Sequence, residues 1–148
     1  MWVRSRLSDE QIAFLHGLPP RVELEMGGVA RVLFCHASPR NDVDIFIETT
    51  PEEHVAPLFA RVAADLVVVG HNHVQFERTV NGIRVVNAGQ RRASERGRPG
   101  AYWALIGPSV EHRRRQYQPR PSTFLGWGAP RESRADYLAR AERLAVRA

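Results

Sequence analysis

Three histidines of this 148-residue chain stand directly after apolar segments that are typical of β-strands. His36 follows residues 31–35, and His71 and His73 follow residues 66–70. In extended backbone, residues two apart point to the same side, with α-carbons about 6.6 Å apart at roughly 3.3 Å per residue. We therefore expect the three imidazoles to gather at a common metal site, on one ion or across two ions roughly 3.5 to 4 Å apart.

The other histidines and the single cysteine are placed less like metal ligands. His16 falls at a helix end, His54 on an exposed helix face and His112 on a two-faced strand, so we expect surface roles for all three. Cys35 points away from His36 on the same strand and is expected to be a small core residue. As the only cysteine it forms no intrachain disulfide, which agrees with a cytoplasmic protein.

The amino-terminal elements predicted from the sequence are a helix and a β-hairpin. Ser8 and Gln11 form a capping box that begins a helix over residues 8–17. Apolar and polar side chains alternate over residues 21–26, as in a half-buried strand, and two glycines then turn the chain into a strand over residues 29–35. The helix is expected to bury Ile12, Phe14 and Leu15.

Turn and cap signals define the remaining elements. Thr50 and Pro51 begin a second helix, with Thr50 as its cap, and Pro57 is expected to distort that helix. Asn81-Gly82 is the strongest short hairpin signal in the chain. Further strands are predicted over residues 65–69, 74–80, 83–87, 101–106 and 110–117, and a last helix begins near Ser133.

Composition and charge restrict the class of protein. A chain with 43% hydrophobic and 25% charged residues fits one globular domain rather than a disordered or collagen-like polymer. No apolar run approaches the roughly 20 residues of a membrane span. We therefore expect a cytoplasmic protein with no membrane partner. Residues 1–90 hold 8 Arg against 11 acids, net −3, whereas residues 91–148 hold 13 Arg against 5 acids, net +8. The basic part is able to attract phosphate, nucleic acid or an acidic partner.

The run Arg113-Arg114-Arg115 is the clearest nucleic-acid signal in the sequence. Consecutive residues of a strand alternate between faces, and no aromatic residue of the stacking type is interleaved in this run. The sequence therefore argues against a nucleic-acid partner.

Four short motifs occur in one order along the chain, and together they resemble the second half of calcineurin-like metallophosphoesterases of the small bacterial type. The resemblance covers about residues 7–117. Each motif alone is weak, whereas four in order with matching strands between them are specific. They are Phe34-Cys35-His36-Ala37-Ser38-Pro39, Val69-Gly70-His71-Asn72-His73, Val85-Val86-Asn87-Ala88-Gly89 and Pro99-Gly100-Ala101-Tyr102-Trp103-Ala104-Leu105.

The resemblance implies an α/β fold, half or more of a four-layer α/β/β/α sandwich with mixed β-sheet flanked by helices. It also implies a site for two divalent metal ions (Mn, Fe, Zn or Ni) at the strand ends. In such enzymes a metal-bound hydroxide hydrolyses phosphomonoesters or phosphodiesters, and the two cations offset charge on the attacking and leaving oxygens. By position, His36 and His71 resemble ligands of one ion, and His73 resembles a ligand of the other.

The chain also departs from the family pattern. The family's Asp-X-His, Gly-Asp and Gly-Asn-His-Asp/Glu motifs belong before residue 7 and do not occur in this sequence. In the family these motifs supply four metal ligands and the histidine beside the leaving group. Asp42 and Asp44 lack the sequence context of those motifs and do not replace them. We therefore expect partial or no metal occupancy, and low or no activity from this polypeptide alone.

The substrate side is expected to involve Asn87 and Arg91. The family usually continues the Asn87-Ala88-Gly89 motif with Ser, Val and Gly, whereas Gln90 and two arginines follow here. An arginine at this point is able to contact a phosphate of the ester substrate.

The domain organisation leaves several partners open. Residues 1–117 are expected to form the C-terminal portion of a metallophosphoesterase domain, and residues 118–148 a connector and helix packed on it. In the family the inner sheet face is covered by the half that this sequence lacks, which predicts exposed apolar surface. A second copy, a separately encoded N-terminal half or the chain's own C-terminal segment is able to cover it. Two alternative functions are a self-associating module without activity and an Arg-rich nucleic-acid-binding module.

Overall fold

The computed structural model describes residues 3–27, 30–90 and 100–116 of the chain. Within these ranges the helices are α1 (Asp9–Gly17) and α2 (Glu52–Val55), with 3-10 turns at Arg4–Arg6 and Ala56–Phe59. The strands are β1 (Arg21–Met26), β2 (Ala30–Cys35), β3 (Leu66–Val69), β4 (Phe76–Val80), β5 (Ile83–Asn87), β6 (Ala101–Ile106) and β7 (Val110–Arg115). The predicted connector and last helix, residues 118–148, lie outside the described residues.

Five strands form one mixed sheet in the order β1-β2-β3-β5-β4. The three central strands β2, β3 and β5 are parallel, and β1 and β4 are antiparallel strands at the two edges. β6 and β7 form a separate antiparallel pair. The predicted α/β class with a mixed sheet is confirmed. Because parallel strands end at the same edge of a sheet, the residues that follow β2, β3 and β5 are brought to one edge.

Local sequence signals account for two of the connections. The Ser8 side chain accepts a hydrogen bond from the Gln11 backbone N–H, and the Gln11 side chain accepts one from the Ser8 N–H, so the predicted capping box is confirmed. Asn81 and Gly82 have φ angles of 51° and 79° between β4 and β5. A two-residue hairpin turn of this type requires positive φ at both positions, which is why Asn-Gly predicts it.

An apolar segment after the β2 loop covers one face of the sheet. The Phe46 ring packs edge-on against the rings of Phe59 and Phe76, with centroids 5.7 and 5.8 Å apart. α2 ends after four residues and passes into the 3-10 turn that contains Pro57, so the predicted distortion is confirmed. This buried cluster also contains Leu33, Val55, Leu58, Val67, Val69, Val80, Ile83 and Val85.

The opposite face of the sheet is covered by the β6–β7 hairpin. Val32, Leu66 and Val86 are buried on that face, and the hairpin packs Ala104, Ile106 and Val110 against them. The described residues therefore place α2 and its 3-10 turn on one face of the five-stranded sheet and the two-stranded sheet on the other. None of the helices in the described ranges is both long and apolar enough to cross a membrane.

The amino-terminal elements are less buried than the sequence predicts. Phe14 and Leu15 are 67% and 51% exposed, and α1 contains no buried residue, so the predicted core face of this helix is wrong. The predicted half-buried character of β1 is also wrong, because Val22 and Leu24 are 42% and 49% exposed. Periodicity identifies which face of an element is apolar enough to be buried. Among the described residues, no element covers these faces of α1 and β1.

Thr50 does not act as the cap that the sequence predicts for α2. Pro51 occupies the cap position, and the Thr50 hydroxyl instead accepts a hydrogen bond of 2.9 Å from the buried Ile47 N–H. The hydroxyl therefore stabilises the turn before the helix rather than the helix end.

Arg78 of β4 holds this turn on the sheet. Its guanidinium donates to the carbonyl oxygens of Ile47, Glu48 and Thr50 at 3.1, 3.3 and 2.7 Å and pairs with the Glu52 carboxylate at 2.6 Å. The Arg78 side chain is only 12% exposed. One side chain thus donates to three backbone carbonyl groups that lie outside the helices and strands.

We expect Arg78→Met to lower the free energy of unfolding by about 2–4 kcal/mol, because these carbonyl groups lose a charged donor. Arg84→Met is the matched control, since Arg84 is 34% exposed and pairs with Glu77 at the surface. Its expected cost is below about 1 kcal/mol. Urea unfolding of both variants measures the difference, and equal losses would contradict this role of Arg78.

Candidate metal centre

The site lies at the edge where β2, β3 and β5 end. His36 directly follows β2, and Gly70 directly follows β3. The Gly70 N–H donates to the His36 carbonyl oxygen at 2.8 Å, which ties the two strand ends together. A β-carbon on residue 70 would stand 3.5 Å from the same oxygen, an ordinary contact distance.

The rings of His36 and His71 are in direct contact. His36 Nε2 lies 3.0 Å from His71 Nδ1. The ring centroids are 4.9 Å apart and the planes are inclined by 72°. The structure therefore brings together two of the three predicted ligands, and they come from neighbouring parallel strands, as the sequence predicts.

The loop that carries His71 and His73 is not extended. Both residues have left-handed backbone, with φ angles of 64° and 59°. The prediction that the two rings converge through extended spacing is therefore wrong. Left-handed backbone at residues other than glycine costs of order 1–3 kcal/mol each, so surrounding contacts must hold it.

The side chains of Asn72 and Asn87 supply those contacts. Asn72 lies between the two histidines with 4% exposure, and Asn87 at the end of β5 is fully buried. Asn87 Nδ2 donates to Asn72 Oδ1 at 2.6 Å and to the Gly70 carbonyl oxygen at 2.7 Å. Asn72 Nδ2 donates to the Phe46 carbonyl oxygen. The amide pair thus joins the histidine loop to β5 and to the segment before α2.

Asn87 also positions the loop that follows it. Its Oδ1 accepts a hydrogen bond of 2.8 Å from the Gly89 N–H, and its carbonyl oxygen lies 3.1 Å from His112 Nε2. Asn87 therefore has a positioning role, and its predicted contact with substrate stays a prediction. Arg91 lies outside the described residues, so its predicted contact with phosphate also stays a prediction.

Burial and mutual repulsion favour the neutral form of two of the imidazoles. Burial lowers the pKa of His71, repulsion between the protonated rings of His71 and His36 lowers it further, and the exposed Asp42 carboxylate opposes both. Burial also lowers the pKa of His73, with further lowering by His71 and His36. A neutral imidazole is the form that presents a lone pair to a metal ion.

Asp44, in contrast, serves the loop rather than the site. Its carboxylate accepts hydrogen bonds from Ser38 Oγ at 2.5 Å and from Arg40 Nη2 at 2.6 Å. Burial raises the pKa of Asp44, but the hydrogen bonds from Arg40, Ser38 and Asn41 outweigh it and hold that pKa below its usual value. With its oxygens engaged in this way, Asp44 fixes the turn after His36.

Cys35 is inert at this edge, in agreement with the prediction of a core role. The thiol is partly buried and packs against the core of the sheet. Burial raises its pKa to about 11, although Arg21 opposes the shift. At neutral pH it is therefore a thiol rather than a ligating or nucleophilic thiolate.

No local sequence pattern predicts that the β6–β7 hairpin is hydrogen-bonded to the segment that follows the histidine loop. Gln75, two residues after His73, donates from Nε2 to the carbonyl oxygens of Trp103 and Arg113 at 3.0 and 3.2 Å. The Tyr102 N–H donates to the Gln90 carbonyl oxygen at 3.2 Å. Among the histidines predicted to have surface roles, His112 is exposed but contacts Asn87. These contacts depend on tertiary register, which no local pattern encodes.

The contacting imidazoles fit two coordination positions of one ion. Two nitrogens bound about 2.1 Å from a common ion lie roughly 3.0–3.4 Å apart for bond angles between a right angle and the tetrahedral angle. The observed 3.0 Å separation of His36 Nε2 and His71 Nδ1 falls in this range. Across residues 3–27, 30–90 and 100–116, however, no three His, Cys, Asp or Glu side chains converge to hold a metal ion. The role of the pair as metal ligands therefore stays a prediction.

The sequence of the chain is similar to those of known proteins. The profile described as a calcineurin-like phosphoesterase superfamily domain matches residues 7–106. An uncharacterized protein of Methanocaldococcus jannaschii is 29% identical over 90 residues, which are 61% of this chain and 35% of that protein.

Two solved structures share the fold. A hypothetical protein from Pyrococcus horikoshii is 18% identical with a TM-score of 0.59, over 77% of this chain and 47% of that one. A metallophosphoesterase from Sphaerobacter thermophilus is 24% identical with a TM-score of 0.56, over 79% of this chain and 56% of that one. The chain therefore spans between about a third and a little over half of the lengths of these relatives.

We expect Gly89→Ala to disrupt the junction of the histidine loop and the hairpin. Gly89 has a φ of +79°, and a β-carbon there would stand 2.7 Å from Gln75 Cγ and 3.1 Å from Tyr102 Cβ. Strain and overpacking together are expected to cost about 2–4 kcal/mol in the free energy of unfolding. Gly17→Ala is the control, because nothing lies within 4 Å of its β-carbon position. Thermal or urea unfolding compares the two, and a Gly89→Ala variant as stable as the parent would refute this packing.

Proposed function

The chain belongs to the calcineurin-like phosphoesterase superfamily, and from this premise we propose that it forms part of a metal-dependent phosphoesterase acting on phosphomonoesters or phosphodiesters. Superfamily membership supports a phosphoesterase-type function. The use of two divalent ions, the ester class and the ligand roles of His36, His71 and His73 are our proposal.

The observation that carries the proposal is the contact between His36 and His71 at the ends of two parallel strands. Their ring nitrogens are 3.0 Å apart, and the loop that presents His71 is held by buried amides rather than by solvent contacts. A pair of imidazoles held at this distance is suited to bind one cation through both nitrogens. His73 lies within electrostatic range of both rings, which is consistent with a ligand of a second, neighbouring cation.

Metal binding requires a particular protonation state of this pair. In the absence of metal, one of the two facing nitrogens donates a hydrogen bond to the other. To bind a common cation, both nitrogens must present lone pairs, so each ring carries its remaining proton on the opposite nitrogen, Nδ1 of His36 and Nε2 of His71. The lowered pKa of His71 favours the neutral ring that this arrangement needs.

When bound, divalent ions lower the pKa of coordinated water and offset charge on phosphoryl oxygens. Three neutral imidazoles add no negative charge to balance two such ions. We therefore propose that the complete site takes further ligands, carboxylates among them, from outside the described residues. By itself the 148-residue chain is expected to bind metal weakly and to have low or no turnover.

A module without activity that associates with itself is the second candidate. It is favoured by the apolar side chains that α1 and β1 expose, since surfaces of this kind are typical of interfaces. Leu15, Leu18, Val22 and Leu24 are between 42% and 51% exposed. Sedimentation velocity over a range of concentrations distinguishes the candidates when it is combined with the metal titration below.

We expect calorimetric titration with Mn²⁺ to show weak binding that His71→Ala reduces by at least about tenfold, because one of two facing nitrogens is removed. His16→Ala is the matched control, since His16 is exposed on α1, remote in sequence from the strand ends. It is expected to bind Mn²⁺ as the parent does.

The same variants test turnover on a chromogenic phosphodiester with Mn²⁺ present. Turnover that depends on Mn²⁺ and falls in His71→Ala supports the phosphoesterase. Equal Mn²⁺ affinity in the parent and His71→Ala would remove the proposed ligand role. Self-association without Mn²⁺ binding would favour the second candidate.

A further inference from the structure

The β6–β7 hairpin has an outer face that the packing of the sheet does not use. Side chains alternate between the two faces of a strand, and Ala104, Ile106 and Val110 face the five-stranded sheet. The opposite set consists of Ala101, Trp103, Leu105, Glu111, Arg113 and Arg115. We use the term outer hairpin face for four of these residues, Trp103, Leu105, Arg113 and Arg115.

The outer hairpin face combines exposed apolar surface with positive charge. Trp103 and Leu105 are 42% and 48% exposed, which is high for large apolar side chains. Trp103 is paired in register with Arg113, and Ala101 with Arg115. The Arg113 guanidinium carbon lies 5.4 Å from the centre of the Trp103 ring. The aromatic partner that is missing within the arginine run is therefore supplied by the neighbouring strand.

We propose that the outer hairpin face binds single-stranded nucleic acid. Trp103 and the planar Arg113 guanidinium offer stacking surfaces for unpaired bases, and Arg115 is placed along the same strand to contact a phosphate. Glu111 pairs with Arg113 at 2.5 Å, with both side chains about half exposed. Exposed pairs of this kind contribute little, so a phosphate is able to compete for the guanidinium.

Charge and side-chain type favour this ligand over the alternatives. Residues 91–148, which include the hairpin, carry a net charge of +8. That charge attracts any polyanion, but the Asp and Glu side chains of an acidic protein segment, unlike bases, offer no flat rings for Trp103 to stack on. A duplex keeps its bases stacked inside, so it does not use the tryptophan either. An exposed aromatic residue beside arginines is the arrangement that unpaired bases use best.

The position of the outer hairpin face relates it to the candidate metal centre. The Gln75 amide fixes the backbone of both Trp103 and Arg113, and Gln75 is two residues from His73. The hairpin backbone is therefore hydrogen-bonded to the segment that follows the histidine loop. Binding itself requires neither a metal ion nor turnover, so it is tested apart from the proposed function.

The test is fluorescence anisotropy with a fluorescein-labelled oligothymidylate about twelve nucleotides long, in EDTA, between roughly 50 and 200 mM NaCl. Trp103→Ala is expected to weaken binding by at least about fivefold, the lower limit for loss of one stacked base. Trp103→Phe is expected to retain most of the affinity. Arg115→Gln is expected to reduce the magnitude of the log–log salt slope by about 0.7, the value for one phosphate contact on a single strand.

Two exposed residues away from the hairpin provide matched controls. Phe14→Ala removes an exposed aromatic ring on α1, and Arg61→Gln removes an exposed arginine before β3. Both are expected to bind the oligonucleotide as the parent does. The proposal is overturned if the parent does not bind, if Trp103→Ala binds equally well, or if the controls lose as much affinity. It is also overturned if a duplex or polyglutamate competes as effectively as the single strand.

Discussion

The hydrogen-bonded side chains of Asn72 and Asn87 are the interaction on which this edge of the molecule depends. They are buried, and they connect the ends of β3 and β5 and the segment before α2. Left-handed backbone at His71 and His73 costs together about 2–6 kcal/mol. The bonds of the two amides, with those from Val74 N–H and Gly89 N–H, each contribute about 0.5–1.5 kcal/mol, a comparable sum. These hydrogen bonds therefore offset the cost of the left-handed backbone at His71 and His73.

The same loops give the edge and the hairpin a common frame. The Gly89 N–H donates a hydrogen bond to the Asn87 side chain. Because Gly89 has no side chain, Gln75 and Tyr102 are able to lie close to its α-carbon. Gln75 in turn fixes the hairpin backbone. The residues that would bind a ligand on the outer hairpin face and a cation at the histidines are therefore positioned by one connected set of hydrogen bonds.

The sequence predicts most of the elements and little of their environment. Hairpins and caps depend on neighbouring residues, so Asn81-Gly82 and the Ser8–Gln11 capping box are read correctly. The apolar runs before His36 and His71 correctly predict strands that end beside these histidines, and the predicted family is established by the match over residues 7–106. In contrast, the backbone of His71 and His73 depends on Asn87, fourteen or more residues away along the chain, and no local pattern shows that pairing. The pairing of Trp103 with Arg113 likewise follows from the register of β6 and β7. The exposure of Phe14 depends on whether another element covers α1, which the sequence of the helix does not show.

The central claim is that buried amides hold His71 against His36, and the nuclear Overhauser effect between their ring protons in the metal-free protein tests it most directly. Asn87→Asp keeps the shape of the side chain but replaces the Nδ2 donor with a carboxylate oxygen. That oxygen would face two acceptors, Asn72 Oδ1 and the Gly70 carbonyl oxygen. We expect the effect between the rings in the parent and its loss in Asn87→Asp, with the contacts between β2 and β3 retained. An effect that is absent from the parent, or that is unchanged in Asn87→Asp, would contradict the account.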